Sequence, residues 1–144
     1  MAVAIPSGAL FVTVIRLSPD GTVLSKQALS LSLEITQVAL DPFGGVVVAA
    51  TTCDFCAPGA LSVMKYNSLT GRPMWPVPAR IRWTNSGGGF SLGLSPSGDV
   101  YVSGGVDDGA VTFCYDGRTG SVRWGPKPIP AGSFGQRFVV DPHG

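Results

Sequence analysis

The stretch Leu40-Asp41-Pro42-Phe43-Gly44-Gly45-Val46-Val47-Val48 returns as Leu94-Ser95-Pro96-Ser97-Gly98-Asp99-Val100-Tyr101-Val102, and starts again at Val140-Asp141-Pro142-His143-Gly144. A second unit alternates with it. Tyr66-Asn67-Ser68-Leu69-Thr70-Gly71 followed by Trp75 returns as Tyr115-Asp116-Gly117-Arg118-Thr119-Gly120 followed by Trp124. The second unit steps by 49 residues from Gly71 to Gly120, and the first by 54 and then 46 along Pro42, Pro96 and Pro142. Arg16-Leu17-Ser18-Pro19-Asp20-Gly21 is a degenerate earlier copy of the second unit. Self-similarity at such a period marks a repeat architecture.

Each period holds two hairpins. Pro presets φ for the turn, Gly accepts positive φ, and the flanks are rich in β-branched and aromatic residues. Four strands in roughly 40–50 residues is the size of one β-propeller blade. The expected fold is therefore all-β: a partial β-propeller of four-stranded antiparallel blades. Residues 1–29 read as a half blade, 33–79 and 89–130 as full blades, and 134–144 as the first strand of a further blade. A closed propeller needs about four blades, so the chain reads as a fragment of a larger protein. The competing architecture is a small β-sandwich.

Strand by strand, Gly8–Ile15 and Thr22–Leu29 form the first hairpin, and Val46–Ala50 is an inner strand buried on both faces. Gly59–Tyr66 is expected to pair with Arg72–Val77, leaving Arg80-Ile81-Arg82-Trp83 to connect two blades. Gly125–Pro130 reads as an edge-breaking exit. No helical period is long enough to assign.

Composition agrees. The 144 residues include 20 Gly and 12 Pro, and charged residues make up 13%, against about 25% in ordinary domains. A net charge of +1 leaves no electrostatic footprint for nucleic acid or an anionic membrane. No stretch reaches the ~18–20 apolar residues of a membrane-spanning helix. The apolar start, Ala2–Ile15, has no positive leading region and is broken by Pro6-Ser7-Gly8, so it reads as strand rather than signal peptide.

Tyr115-Asp116-x-x-Thr119-Gly120-x-x-x-Trp124 resembles the repeat of quinoprotein-like (pyrroloquinoline-quinone type) β-propellers. Leu94–Gly104 resembles the beta-propeller repeat of bacterial surface and secreted proteins. The resemblance covers nearly the whole chain and implies architecture more than activity, because one fold hosts many functions. It carries over no cofactor residues: the polar, metal-binding and vicinal-Cys ring of the quinone enzymes has no match here. Trp75 and Trp124 are expected to cover the seams between blades with a large apolar ring. Ser25 stands at the corresponding place in the first blade.

Chemistry is sparse. Cys53-Asp54-Phe55-Cys56 offers a small disulfide, two inert thiols, a zinc half-site or a redox dithiol. Haem attachment needs a His after the second Cys, and Ala57 is there. A structural zinc needs four ligands, with only Cys114 and His143 left to supply them. Redox motifs of this type open a helix, whereas this one lies between strands. Cys114 between Phe113 and Tyr115 reads as a small buried hydrophobe. Asp107-Asp108-Gly109 is a solvated turn rather than a calcium loop, and His143 stands alone without a nucleophile to serve. No catalytic, cofactor-binding or metal-binding residue is assigned, and no cofactor.

The functional expectation is a binding or protein-interaction scaffold, extracellular or periplasmic, with a protein, small-molecule or glycan ligand and self-association through exposed blade edges. The competing expectation is a piece of a quinoprotein-like oxidoreductase whose active site needs further blades. If the cysteines are structural, replacing both Cys53 and Cys56 with Ser leaves the fold intact and costs on the order of 1–2 kcal/mol, because so short a loop removes little denatured-state entropy. Chemical denaturation measures the loss; stoichiometric zinc released by the same change would place the pair in the metal class.

Overall fold

The structure, a computed structural model, describes residues 2–6, 11–30, 34–51, 58–84, 87–107, 109–129 and 140–141. Among these residues the chain is all-β, with eleven strands and no helix. They are β1 (Ala2–Pro6), β2 (Phe11–Leu17), β3 (Val23–Ser30), β4 (Glu34–Leu40), β5 (Gly45–Thr51), β6 (Gly59–Asn67), β7 (Ala79–Trp83), β8 (Gly87–Leu94), β9 (Val100–Val106), β10 (Gly109–Tyr115) and β11 (Val122–Ile129). They form three antiparallel meanders, β1-β2-β3, β4-β5-β6-β7 and β8-β9-β10-β11. Residues 134–139 and 142–144 lie outside the described residues, and with them the expected last strand.

The repeats are equivalent in register. Val46 pairs with Leu40 and Tyr66, as Val100 pairs with Leu94 and Tyr115. Both Pro-containing turns close the same way: Gly44 N–H donates to Asp41 C=O at 3.1 Å, and Gly98 N–H to Ser95 C=O at 2.9 Å. Their glycines sit at φ 88° and 83°, where a side chain would be strained. The turns of the second unit are one residue longer. Gly71 N–H reaches Asn67 C=O at 2.9 Å, and Gly120 N–H reaches Asp116 C=O at 2.8 Å. Ser18–Gly21, expected to resemble this longer turn, closes instead as the shorter one, with Gly21 N–H on Ser18 C=O. It has one residue fewer to spend.

Three assignments differ from the sequence reading. The first sheet has three strands, because the apolar start holds two strands, Ala2–Pro6 and Phe11–Leu17, that pair with each other. The partner of β6 is Ala79–Trp83 rather than Arg72–Val77, which meets β6 at a single bridge between Tyr66 and Pro73. After that bridge the chain leaves the ladder as a run of bends, Met74–Val77, and pairing resumes at Ala79. Arg80–Trp83 is thus strand and not connector. Likewise Gly125–Ile129 belongs to edge strand β11 and pairs with β10.

The sheets stack with the second in the middle. β4 lies beside β1 on one side and β8 on the other, and Gln37 Oε1 on β4 accepts the Leu92 N–H of β8 at 2.7 Å. β5 is buried along its whole length. Val46 and Val48 pack against Val12, Val14 and Leu29 of the first sheet. Val47 and Ala49 join Leu61, Val63, Ile81 and Trp83 against Phe90, Val100, Val102 and Tyr115 of the third. Each such aliphatic side chain removed from water contributes about 1.5–3 kcal/mol.

Trp83 is the bulkiest of the fully buried side chains. Its indole lies 5.3 Å from the Phe90 ring and is held between the backbones of Gly59 and Gly87, where an added Cβ would stand 2.3 Å from the ring on either side. Gly87→Ala is therefore expected to cost about 1–3 kcal/mol by overpacking. Gly109→Ala, which meets nothing within 4 Å, should stay within about 0.5 kcal/mol. Denaturation midpoints of the two variants test the difference.

Candidate functional site

Chemistry-bearing side chains concentrate at two places. One is inside the seam between the second and third sheets, at its turn end. The Lys65 side chain, on β6, is 5% exposed and ion-pairs with the fully buried Asp41 carboxylate. Its ammonium also donates to Gly117 C=O at 2.7 Å, and Trp75 Nε1 donates to the same carbonyl at 3.2 Å. Across the seam, Gly117 N–H donates to Asp99 Oδ1 at 3.2 Å, which also meets Arg123 Nε at 3.0 Å. Arg123 reaches on to Asp116 at 2.8 Å. The Asp116 carboxyl is lowered to about 2, first by the Thr119 N–H and then by the Thr119 hydroxyl. A buried ammonium paired with a carboxylate and bonded to a carbonyl of the next sheet is a structural clamp.

The other place is open. On β7, Ala79, Ile81 and Trp83 are buried toward the third sheet, while Arg80 and Arg82 are exposed on the opposite face. Alternation of this kind is the period of two of a strand. Among the described residues the first sheet covers that face at β5, where Val46 and Val48 are fully buried, but not at β7. The result is an open cleft of about 420 Å³ lined by Pro58, Gly59, Ala60, Arg80, Arg82, Trp83 and Thr84. Its end is fixed by Asp107, whose Oδ1 accepts the Thr84 N–H at 2.9 Å and hydroxyl at 3.0 Å. Neither arginine has an acidic partner among the described residues.

The sites weighed from the sequence fare differently. Cys53, Cys56, Asp108 and His143 lie outside the described residues. Cys114 is buried and its thiol is free, and burial foremost pushes its pKa up, as suits an inert core thiol. Asp107 is committed to the connection before β8. No group of three or more potential metal ligands occurs among the described residues. Trp75 and Trp124 differ. Trp75 is 4% exposed and covers Gly120 and Tyr115 of the next sheet. Trp124 lies in the ladder opposite Cys114, half-buried against Tyr101 at 5.8 Å, with Lys127 over its ring at 4.9 Å. The segment after Trp75, Pro76-Val77-Pro78, is one residue longer than Gly125-Pro126 after Trp124 and carries Trp75 out of the ladder. Sequence reading missed the Arg80/Arg82 face because it took the segment as a connector; the alternation Ala79-Arg80-Ile81-Arg82-Trp83 was the available signal.

The sequence matches no protein-family model, and neither the curated proteins nor the solved structures yield a match to it.

Removing Lys65 alone strands a buried carboxylate. Lys65→Met is expected to cost about 3–5 kcal/mol, with much of that recovered when Asp41→Asn is added, because a broken buried pair is worse than none. Urea denaturation of the single and double variants gives the comparison.

Proposed function

We propose that the chain is a β-propeller-type repeat scaffold for binding, its three sheets acting as successive blades. The supporting observation is that the two seams are built alike, from the same face of one sheet against the opposite face of the next. At the first seam, Gln27 and Leu29 stand over Gly71, within 3.1 and 3.2 Å of where its Cβ would be. At the second, Trp75 stands over Gly120 in the same way. A head-to-tail contact that repeats with rotation generates a ring or a superhelix, and a propeller is the ring form for four-stranded meanders of this length. Such scaffolds hold loops and edges rigidly for recognition, and the open Arg80/Arg82 cleft lies on an edge of this kind.

In this reading Trp75 holds the third sheet to the second. Trp75→Ala should speed amide hydrogen exchange of β8–β11 by about tenfold or more while that of β2 and β3 changes little. Uniform acceleration across all three sheets would mark one indivisible sandwich and overturn the blade reading. Dye reduction that depends on added pyrroloquinoline quinone and calcium would overturn the scaffold function in favour of an oxidoreductase.

A further inference from the structure

We propose that β7 accepts an extended acidic peptide as an added strand, with Arg80 and Arg82 engaging carboxylates on alternate residues of that peptide. The proposal rests on the scaffold reading above and names the partner for it. β7 has a neighbour, β6, on one side only among the described residues. An edge strand presents a row of alternate N–H and C=O groups outward, which is a template for another strand.

Three further observations select the occupant. The first is charge: two guanidinium groups sit at i and i+2 on one exposed face, so they recur at the same spacing of roughly 7 Å as alternate side chains of an added strand. Guanidinium and carboxylate match in planar, bidentate geometry. The second is the cleft. The cleft, about 420 Å³, lies over β6 and β7 with Gly59 and Ala60 as its floor, so among the described residues no other sheet covers the arginine face and both guanidinium groups stay accessible to an added strand. The third is rigidity. Ile81 and Trp83 anchor β7 from behind with 3% and 2% exposure, so its edge is preorganised and little ordering entropy is lost on binding. The other outer edge in a four-stranded sheet, β11, carries Pro126 and Pro128, which cannot donate to an incoming strand. The net charge of the whole chain is only +1, so attraction of an acidic strand is local to this edge rather than a property of the whole surface.

The test uses the full chain and a fluorescein-labelled octapeptide of alternating Thr and Glu, capped at both ends, read by fluorescence anisotropy. Saturable binding is expected, weakened by added salt and about tenfold or more by Arg80→Ala with Arg82→Ala. Circular dichroism of the double variant should be unchanged, since both side chains are exposed. Two N-methylated peptides separate backbone pairing from charge: methylation at one alternate set of amides should abolish binding and at the other should not. Three outcomes overturn the proposal. One is no binding of the octapeptide. Another is equal binding of a peptide with Lys in place of Glu. The third is equal tolerance of both methylated sets, with a heparin-derived hexasaccharide competing, which would assign the arginines to an anionic glycan. Failure to bind while β8–β11 keep their exchange protection removes the peptide and leaves the stacked scaffold standing.

Discussion

The seam between the second and third sheets depends on one backbone carbonyl, that of Gly117. It accepts the Lys65 ammonium and the Trp75 indole from the neighbouring sheet. The turn that presents it is held by Gly117 N–H on Asp99, and its backbone passes so close to Gly98 that a Cβ at Gly117 would stand 1.8 Å from the Gly98 oxygen. That approach explains why Gly117 stands where the previous repeat has Ser68. Lys65 is a costly residue to bury, and it is tolerable because Asp41 supplies the countercharge from its own sheet and Gly117 the second acceptor from the next. The equivalent of Asp41 is Ser95 and that of Lys65 is Cys114, so the two charges are absent together from the third sheet. An ion pair that appears or disappears as a unit is what the desolvation penalty requires.

Much of the fold was legible because the repeat carries its own punctuation. Pro-x-Gly and Thr-Gly marked the hairpin turns, and the unbroken run Val46–Ala50 announced a strand buried on both faces, as β5 is. The errors share a physical cause. Arg72–Val77 matches a strand by position in the repeat, but the extra residue in Pro76-Val77-Pro78 carries the chain out of the ladder after the Tyr66–Pro73 bridge, and pairing resumes only at Ala79. Arg80–Trp83 reads as a connector by sequence, because Trp75 occupies the place of Trp124 in the repeat. Its Trp83 is the better buried ring, and the small residues that make room for it, Gly59 and Gly87, lie 24 and four residues away along the chain. No local pattern connects them. The site was less legible still: an exposed Arg80/Arg82 face becomes a cleft only through what the first sheet covers and what it leaves open.

The two faces of each sheet are not chemically constant along the stack. The face of the second sheet that meets the third presents Val47, Ala49, Leu61 and Val63. By register, the same face of the third sheet presents Tyr101, Ser103, Ala110 and Thr112. There the Thr112 hydroxyl donates to Ser103 at 3.0 Å, and Trp124 lies on Tyr101. This face of the third sheet is therefore more polar than the corresponding face of the second, and its hydroxyls need hydrogen-bond partners that an aliphatic surface would not supply.

Among the described residues each of the three sheets ends in an outer strand paired on one side only, β3, β7 or β11, and each treats that strand differently. β11 is blocked by two prolines and by Lys127 lying over Trp124. β3 carries exposed Val23 and Leu24 at its start and Lys26 in its middle. β7 carries Arg80 and Arg82 with no proline between Ala79 and Trp83. Proline forbids any added strand, whereas arginine forbids only one of like charge and favours its opposite. A second copy of this chain would meet β7 with the same two arginines if it docked edge to edge, and like charges directly opposite are destabilising. The chemistry that keeps this edge from pairing with itself is therefore the chemistry that would admit an acidic strand.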